Sequence, residues 1–341
     1  MSLEKFGWDS YFENEWSRVL DTHLEPARVA LADRERFLVW TVAGETEATV
    51  SGRLRHEATD WPTVGDWVAL EQRCRIGRVL PRRTVFSRKQ AGAVTRAQVI
   101  AANVDVLFIV CGLDGDFNLR RIERYLLLAW ESGAKPAVVL NKADVCMDVA
   151  AAAERIREIA SGAPVLTISA REGWGLPALQ AHLQPGLTAA FAGSSGAGKS
   201  TLVNRLLGRE QQLVQDVRAS DSRGRHTTVR RELFHAPAGW LLIDTPGLRE
   251  LQLWADSDSV DAAFADIAAL AAACRFRDCR HQGEPGCAVA SSGIDEARLA
   301  NYTKMQRELA HLDRKLDQRA AQEEKRRIKQ VHRAMRRHYR G

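Results

Sequence analysis

Short apolar runs at residues 104–110, 137–140, 165–168, 187–192 and 240–243 punctuate the middle of the chain, each separated from the next by a stretch of helical character. Runs this apolar suit strands buried on both faces, and their alternation with helices predicts a doubly wound parallel α/β domain. The N-terminal stretch from Pro26 to Pro81 has a different rhythm. Strand-like segments at 36–42, 47–50 and 66–70, the last following a turn signal at Gly65, occur with no long helical periodicity between them. A small OB-like β-barrel is predicted there, a fold often used to hold nucleic acid. Toward the C-terminus, Tyr302, Met305, Leu309, Leu312 and Leu316 recur at three- and four-residue steps and predict a helix with one packed stripe. The expected layout is a barrel over 1–84, a linker over 85–103, the α/β domain over 104–254, and over 255–341 a zinc-binding domain, for the cysteine cluster it holds, with a basic helical tail.

Composition adds location and partners to this layout. The chain has 341 residues and is 45% hydrophobic, enough for more than one core. No apolar run is long enough to span a bilayer, and the first eight residues include Glu4 and no apolar signal region, so a cytoplasmic monomer without membrane attachment is expected. The net charge of +6 is concentrated at one end: residues 314–341 hold eleven Arg or Lys against Asp317, Glu323 and Glu324. Such a run tracks a nucleic-acid backbone or forms a solvated helix face, and the scarcity of acids favours RNA. Trp61, Trp67, Arg82, Arg83, Arg88 and Lys89, in and just beyond the barrel, are further candidates for stacking or phosphate contact, with Trp67 also readable as barrel core.

Three cysteines, Cys74, Cys111 and Cys146, are scattered, whereas Cys274, Cys279 and Cys287 crowd around His281. Three thiolates and one imidazole within one short polar segment form the ligand set of a closed structural zinc site, with no open position for catalysis.

The most specific motif is Gly193-Ser194-Ser195-Gly196-Ala197-Gly198-Lys199-Ser200, followed by Thr201 and a helical segment. Placed between an apolar strand and a helix, this is a phosphate cradle. Backbone N–H groups and the helix N-terminus face the phosphates, Lys199 reaches the β- and γ-phosphates, and Ser200 ligates Mg²⁺. Asp244-Thr245-Pro246-Gly247 ends another apolar strand, where Asp244 can hold magnesium through water and the Gly247 N–H can meet a γ-phosphate. Asn141-Lys142-Ala143-Asp144 ends a third. The Asp144 carboxylate offers two acceptors matched to the N1–H and N2–H₂ donors of guanine, and Ser169-Ala170 completes the base pocket by backbone contact. The residue chemistry therefore points to a protein that binds GTP and GDP and hydrolyses GTP.

GTPases ordinarily run phosphate loop, switch threonine, D-x-x-G, N-K-x-D, S-A, but here N-K-x-D and S-A come first. With the N-terminal barrel and the C-terminal Cys/His cluster, the permuted order resembles the bacterial ribosome small-subunit-dependent GTPase A family, RsgA or YjeQ, over nearly the whole chain. The resemblance implies late maturation of the 30S ribosomal subunit, contact with 16S rRNA, and GTPase activity stimulated by the small subunit. It also implies that Gly224-Arg225-His226-Thr227-Thr228 is the switch, with Thr228, favoured over Thr227, on magnesium and γ-phosphate, and His226 positioning the attacking water. In support, D-T-P-G is followed by Leu248, apolar where Ras-like enzymes carry a water-orienting glutamine. The competing readings are an RNA-binding module gated by a nucleotide with negligible turnover, and a GTPase serving a protein or membrane surface.

Overall fold

The computed structural model describes residues 2–19, 21, 23–33, 35–57, 61–89, 97–160, 162–208, 231–244, 260–261, 264–277, 279–310 and 314. The chain divides into two compact units, one formed by Met1–Arg88 with Ala97–Gln252, the other by Lys89–Arg96 with Leu253–Gly341.

In the first unit, β1 (Glu25–Asp33), β2 (Arg36–Trp40), β3 (Glu45–Val50), β4 (Trp67–Glu71) and β5 (Arg75–Val79) follow the order β1-β2-β3-β5-β4 and close through β1–β4 pairing. This is the closed barrel expected from the N-terminal pattern. Ala27, Val29, Phe37, Val39, Val68, Leu70 and Ile76 fill it. A short helix, α2 (Gly52–Glu57), lies between β3 and β4. The N-terminal segment, with a 3₁₀ turn at Leu3–Phe6 and α1 (Ser10–Trp16), lays Phe6, Trp8 and Phe12 over Trp67 and Leu80 outside the barrel. Trp67 is thus fully buried and offers no face to a nucleic-acid base. Arg82 is likewise committed internally: its Nε donates to Asp66 Oδ1 at 2.7 Å and its Nη2 to Asp66 Oδ2 at 2.8 Å, with the carboxylate inaccessible. Arg83 pairs with Asp9 at 2.8 Å. The side chains of Arg88 and Lys89 lie outside the described residues.

The stretch expected as a linker carries β6 (Val85–Lys89) and β7 (Ala97–Ala102), which pair with each other. Then come β8 (Val106–Gly112), α3 (Leu119–Ser132), β9 (Lys135–Asn141), α4 (Val149–Ile159), β10 (Val165–Thr167), α5 (Leu176–Gln180), β11 (Thr188–Ala192), α6 (Lys199–Leu207), β12 (Arg231–His235) and β13 (Leu241–Asp244). Strands β10-β9-β8-β11-β13 are parallel neighbours in that order, and β12 pairs antiparallel with β13. Their apolar runs are buried on both faces, as in β8, where all seven residues are buried. Asn118 caps α3 by accepting the Arg121 N–H at 3.0 Å, and Gly133, at φ 84°, ends it.

Strand β12 also pairs with β1 at Leu31↔Glu232, so barrel and α/β core share one eleven-stranded sheet. Arg28, on the face of β1 opposite the barrel core, is 1% exposed. Its guanidinium donates to the Phe6 carbonyl, to the Asn103 carbonyl at 3.2 Å and to Thr188 Oγ1 at 2.8 Å, at the start of β11. Burial pulls this guanidinium down to about 10, which leaves it protonated at neutral pH.

In the second unit, α7 (Ala265–Ala272) precedes the cysteine cluster, and a helix over 296–310, α8, follows it. Tyr302, Met305 and Leu309 of the expected stripe are buried; Leu312 and Leu316 lie outside the described residues, as does the basic tail beyond 314. Among the described residues no helix is long and apolar enough to cross a membrane.

Candidate nucleotide site and metal centre

Because β10, β9, β8, β11 and β13 are parallel, their carboxyl ends lie along one edge of the sheet, and the loops leaving them stand side by side. Ser169-Ala170 follows β10, Asn141 to Asp144 follows β9, the phosphate loop follows β11, and Asp244 ends β13. The permuted order therefore assembles the same row of loops that an unpermuted GTPase would need. Connectivity has changed, while adjacency in the sheet has not.

The phosphate loop leaves β11 at Gly193, whose φ of 139° belongs to glycine. A Cβ there would collide with the Val110 carbonyl oxygen of the neighbouring strand. Gly198, at φ 91°, precedes α6, and a Cβ on it would strike the Asn141 amide. These glycines let the loop curl against β8 and β9 closely enough for its N–H groups to converge. Ser195 and Gly196 are exposed at the tip, Ala197 is buried beneath, and Ser200 and Thr201 lie in the first turn of α6. The Lys199 ammonium folds back into the cradle, donating to the carbonyls of Gly193 at 2.9 Å and Ser194 at 2.5 Å.

Asn141 joins the phosphate loop to the base loops. It is 2% exposed; its Nδ2 donates to the Ala197 carbonyl at 2.9 Å and its Oδ1 accepts the Ala170 N–H at 2.9 Å. Both ends of this amide are satisfied where an unpaired group would cost about 1–3 kcal/mol, so the asparagine fixes three loops at once. Lys142 adopts a left-handed φ of 66°, and Ala143 to Val145 form one 3₁₀ turn that presents Asp144, half-buried, beside the S-A loop; the Ala143 N–H donates to the Ile168 carbonyl at 3.1 Å. Ser169 is fully buried, and its hydroxyl accepts the Glu172 N–H at 3.1 Å, which turns the loop over.

A fourth loop, absent from the motif reading, stands between the N-K-A-D loop and the phosphate loop. Asp114, after β8, takes an ion pair from the Lys142 ammonium, which holds its carboxyl below the usual carboxylate range. Asp116, two residues on, accepts the Ser194 hydroxyl. Two acids just beyond a buried strand are the only trace of this loop in the sequence. His226 and Thr228 of the expected switch, Gly247, and the side chain of Asp244 lie outside the described residues.

In the second unit, one ligand atom each from Cys274, Cys279, His281 and Cys287 lies within 4.8 Å of the others. Cys287 Sγ stands 3.5 Å from His281 Nδ1, and Cys274 Sγ stands 3.7 Å from His281 Nδ1 and 3.9 Å from Cys287 Sγ. A tetrahedral ion with thiolate and imidazole ligands requires edges of about 3.5–3.8 Å, so the donor set fits one. Four protein ligands complete the tetrahedron and leave no position for a substrate, which makes the site structural. The left-handed His281, at φ 59°, turns the chain back toward Cys274. Glu284, which the motif omits, closes that turn by accepting the N–H groups of Arg280 at 2.9 Å and Gln282 at 2.7 Å.

Family models described as "RsgA GTPase" and "50S ribosome-binding GTPase" match residues 79–254 and 188–331. Among curated proteins, the chain is 46% identical to the "Small ribosomal subunit biogenesis GTPase RsgA" of Opitutus terrae, over 98% of this chain and 97% of that one. It is 50% identical to the protein of that name from Xylella fastidiosa strain M23, over 90% of this chain and 96% of that one. Among solved structures, YjeQ from Thermotoga maritima superposes with a TM-score of 0.63 at 25% identity, covering 84% of this chain and 99% of its own. With the site loops in permuted order on one sheet edge, a closed barrel before them and a Cys₃His metal centre after them, the chain belongs to the RsgA family of circularly permuted GTPases.

Proposed function

We propose that this chain hydrolyses GTP during late maturation of the 30S ribosomal subunit, that it contacts 16S rRNA and the small subunit stimulates the hydrolysis, and that the metal held by the Cys₃His cluster is zinc. The observation that carries the reading is the row of Ser169-Ala170, Asn141 to Asp144 and the phosphate loop tied together by Asn141, in a chain whose curated relatives are named for small-subunit biogenesis. In this reading Lys199 leaves the Gly193 and Ser194 carbonyls for the β- and γ-phosphates, and Ser200 and Thr228 would hold magnesium, which would supply positive charge to offset that of the phosphates. Single-turnover GTP hydrolysis with and without purified small subunits tests it. A large stimulation supports the proposal. Turnover that stays negligible in both conditions favours an RNA-binding clamp, and turnover indifferent to the subunit favours another partner.

Base choice rests on Asp144. Its replacement by asparagine is expected to weaken GTP binding and to admit xanthosine triphosphate, whose C2 oxygen accepts where guanine donates. Competitive binding of the two nucleotides checks this, and an unchanged preference for GTP would remove Asp144 from the base pocket.

Removing the chain after Ala320 is expected to lower affinity for the small subunit and flatten its dependence on salt, because a chain that neutralises fewer phosphates displaces fewer counterions from the RNA. Nucleotide affinity should change little. An unaltered salt slope would return the tail to a solvated helix face.

A further inference from the structure

We propose that Asp116 is a positioning residue for the phosphate loop, acting through Ser194. The inference rests on the assignment of residues 193–200 as the phosphate cradle. Strand β8 lies between β9 and β11, so the turn that follows it, Leu113 to Asn118, stands between the base-reading loop and the phosphate loop. The Leu113 N–H donates to the Asn141 carbonyl at 2.8 Å, which fastens the start of this turn to the base loop. Asp114 then pairs with Lys142, and the carboxylate of Asp116 turns the other way, to Ser194.

Asp116 is itself held. Arg121, in the first turn of α3, donates to Asp116 Oδ1 at 2.6 Å and to the Asp116 carbonyl at 2.5 Å, while Asp116 Oδ2 accepts the Ser194 hydroxyl. Asp116 exposes 21% of its side chain and Arg121 35%, so the pair is shielded enough to matter and the guanidinium balances a carboxylate placed beside an anion site.

Ser194 is the residue whose carbonyl Lys199 occupies in this state. For Lys199 to reach a phosphate it must give up that carbonyl, which then keeps the long hydrogen bond from the Ala197 N–H, at 3.4 Å. The Asp116 tether on the same residue keeps Ser194 in place across the exchange, so that the N–H groups after it still converge. Without the tether, that ordering would be paid for on nucleotide binding. The carboxylate of Asp114 is more exposed than that of Asp116, at 40% against 21%, and its pair with Lys142 carries less of this role.

The experiment measures GDP dissociation from the full chain carrying Asp116→Asn, Ser194→Ala, or both. Each single variant is expected to release GDP about tenfold faster than the parent, and the double variant no faster than the quicker single. The preference for GDP over IDP, which reports only on the base, should stay within about twofold. Additive losses, or an Asp116→Asn rate within about twofold of the parent, would overturn the proposal, as would an equal loss of base preference, which marks general loosening of the site. Lys199→Ala serves as the separate check on the cradle: if the parent binds GDP and Lys199→Ala binds equally well, the assignment of the phosphate loop itself fails.

Discussion

Replacing His226 with alanine is expected to lower the small-subunit-stimulated rate of single-turnover GTP hydrolysis by about 10²–10⁴-fold, the span typical for loss of a group that handles the attacking water. Leu248 follows D-T-P-G, so the water-orienting glutamine of Ras-like sites has no counterpart there, and another side chain must take its place. In the sequence His226 follows Arg225 and Arg223, in the segment expected to act as the switch. Phosphoryl transfer depends on positioning and charge more than on covalent chemistry, so the expected stimulation is one that acts mainly by positioning the groups of that segment. Isolated turnover should accordingly be slow in parent and variant alike. The measurement needs saturating subunits and, in parallel, the affinity for a non-hydrolysable GTP analogue. A lost rate with intact binding assigns His226 to the chemical step; a stimulated rate equal to the parent's excludes it.

The second large effect concerns the metal centre. Structural zinc in small peptides contributes on the order of 10–16 kcal/mol to folding, more than the whole stability of many domains. Removing the ion, or replacing Cys287 by serine, should therefore unfold the segment from Cys274 to Cys287, which is held chiefly by the ligand cluster and the Glu284 turn. The first compact unit has a separate core and should keep its nucleotide affinity. Proteolysis of the 274–287 segment and nucleotide affinity read the two parts, and elemental analysis of freshly purified protein reads the metal. Absence of stoichiometric zinc in protein never exposed to a chelator would remove the ion from the account.

The α/β core was legible because β8, β9, β11 and β13 are buried on both faces, which leaves an apolar run that no other element mimics at that length. Their ends shifted by up to two residues, since hydrogen bonding continues into Gly112 and Asn141 after hydrophobicity has stopped. The barrel was harder. Strand β1 carries Arg28 in its centre, and that charge, whose terminal nitrogens donate to two carbonyls and a hydroxyl, hides a buried strand behind a polar letter. Strand β12, Arg231–His235, shows no alternation because it gains its place by pairing on both sides. At the site, glycine and lysine spacing revealed the phosphate loop, and N-K-A-D revealed the base loop. Asp114 and Asp116 escaped because their role depends on which strands are neighbours, a relation that linear spacing does not encode. Trp67 and Arg82 show the converse: residue types suited to RNA contact are here consumed by the core and by Asp66.

The position of β11 between β8 and β13 also fixes when the site can come into being. Synthesis delivers β8, β9 and β10 first, then the phosphate loop, and β13 only after β12. At about 5–20 residues per second, the ~50 residues from β11 to β13 take roughly 3–10 s, and during that time β11 has no neighbour on its β13 side and stands as a sheet edge. The barrel's strands, closed through β1–β4 pairing, all precede β12 in the chain, and β12 pairs with β1 at Leu31 and Ala32. In an unpermuted GTPase the phosphate-loop strand emerges first and the base-reading loops last. Here the base-reading loops emerge before the phosphate loop, and Asp244 emerges after both, so the order in which the site's parts become available is reversed.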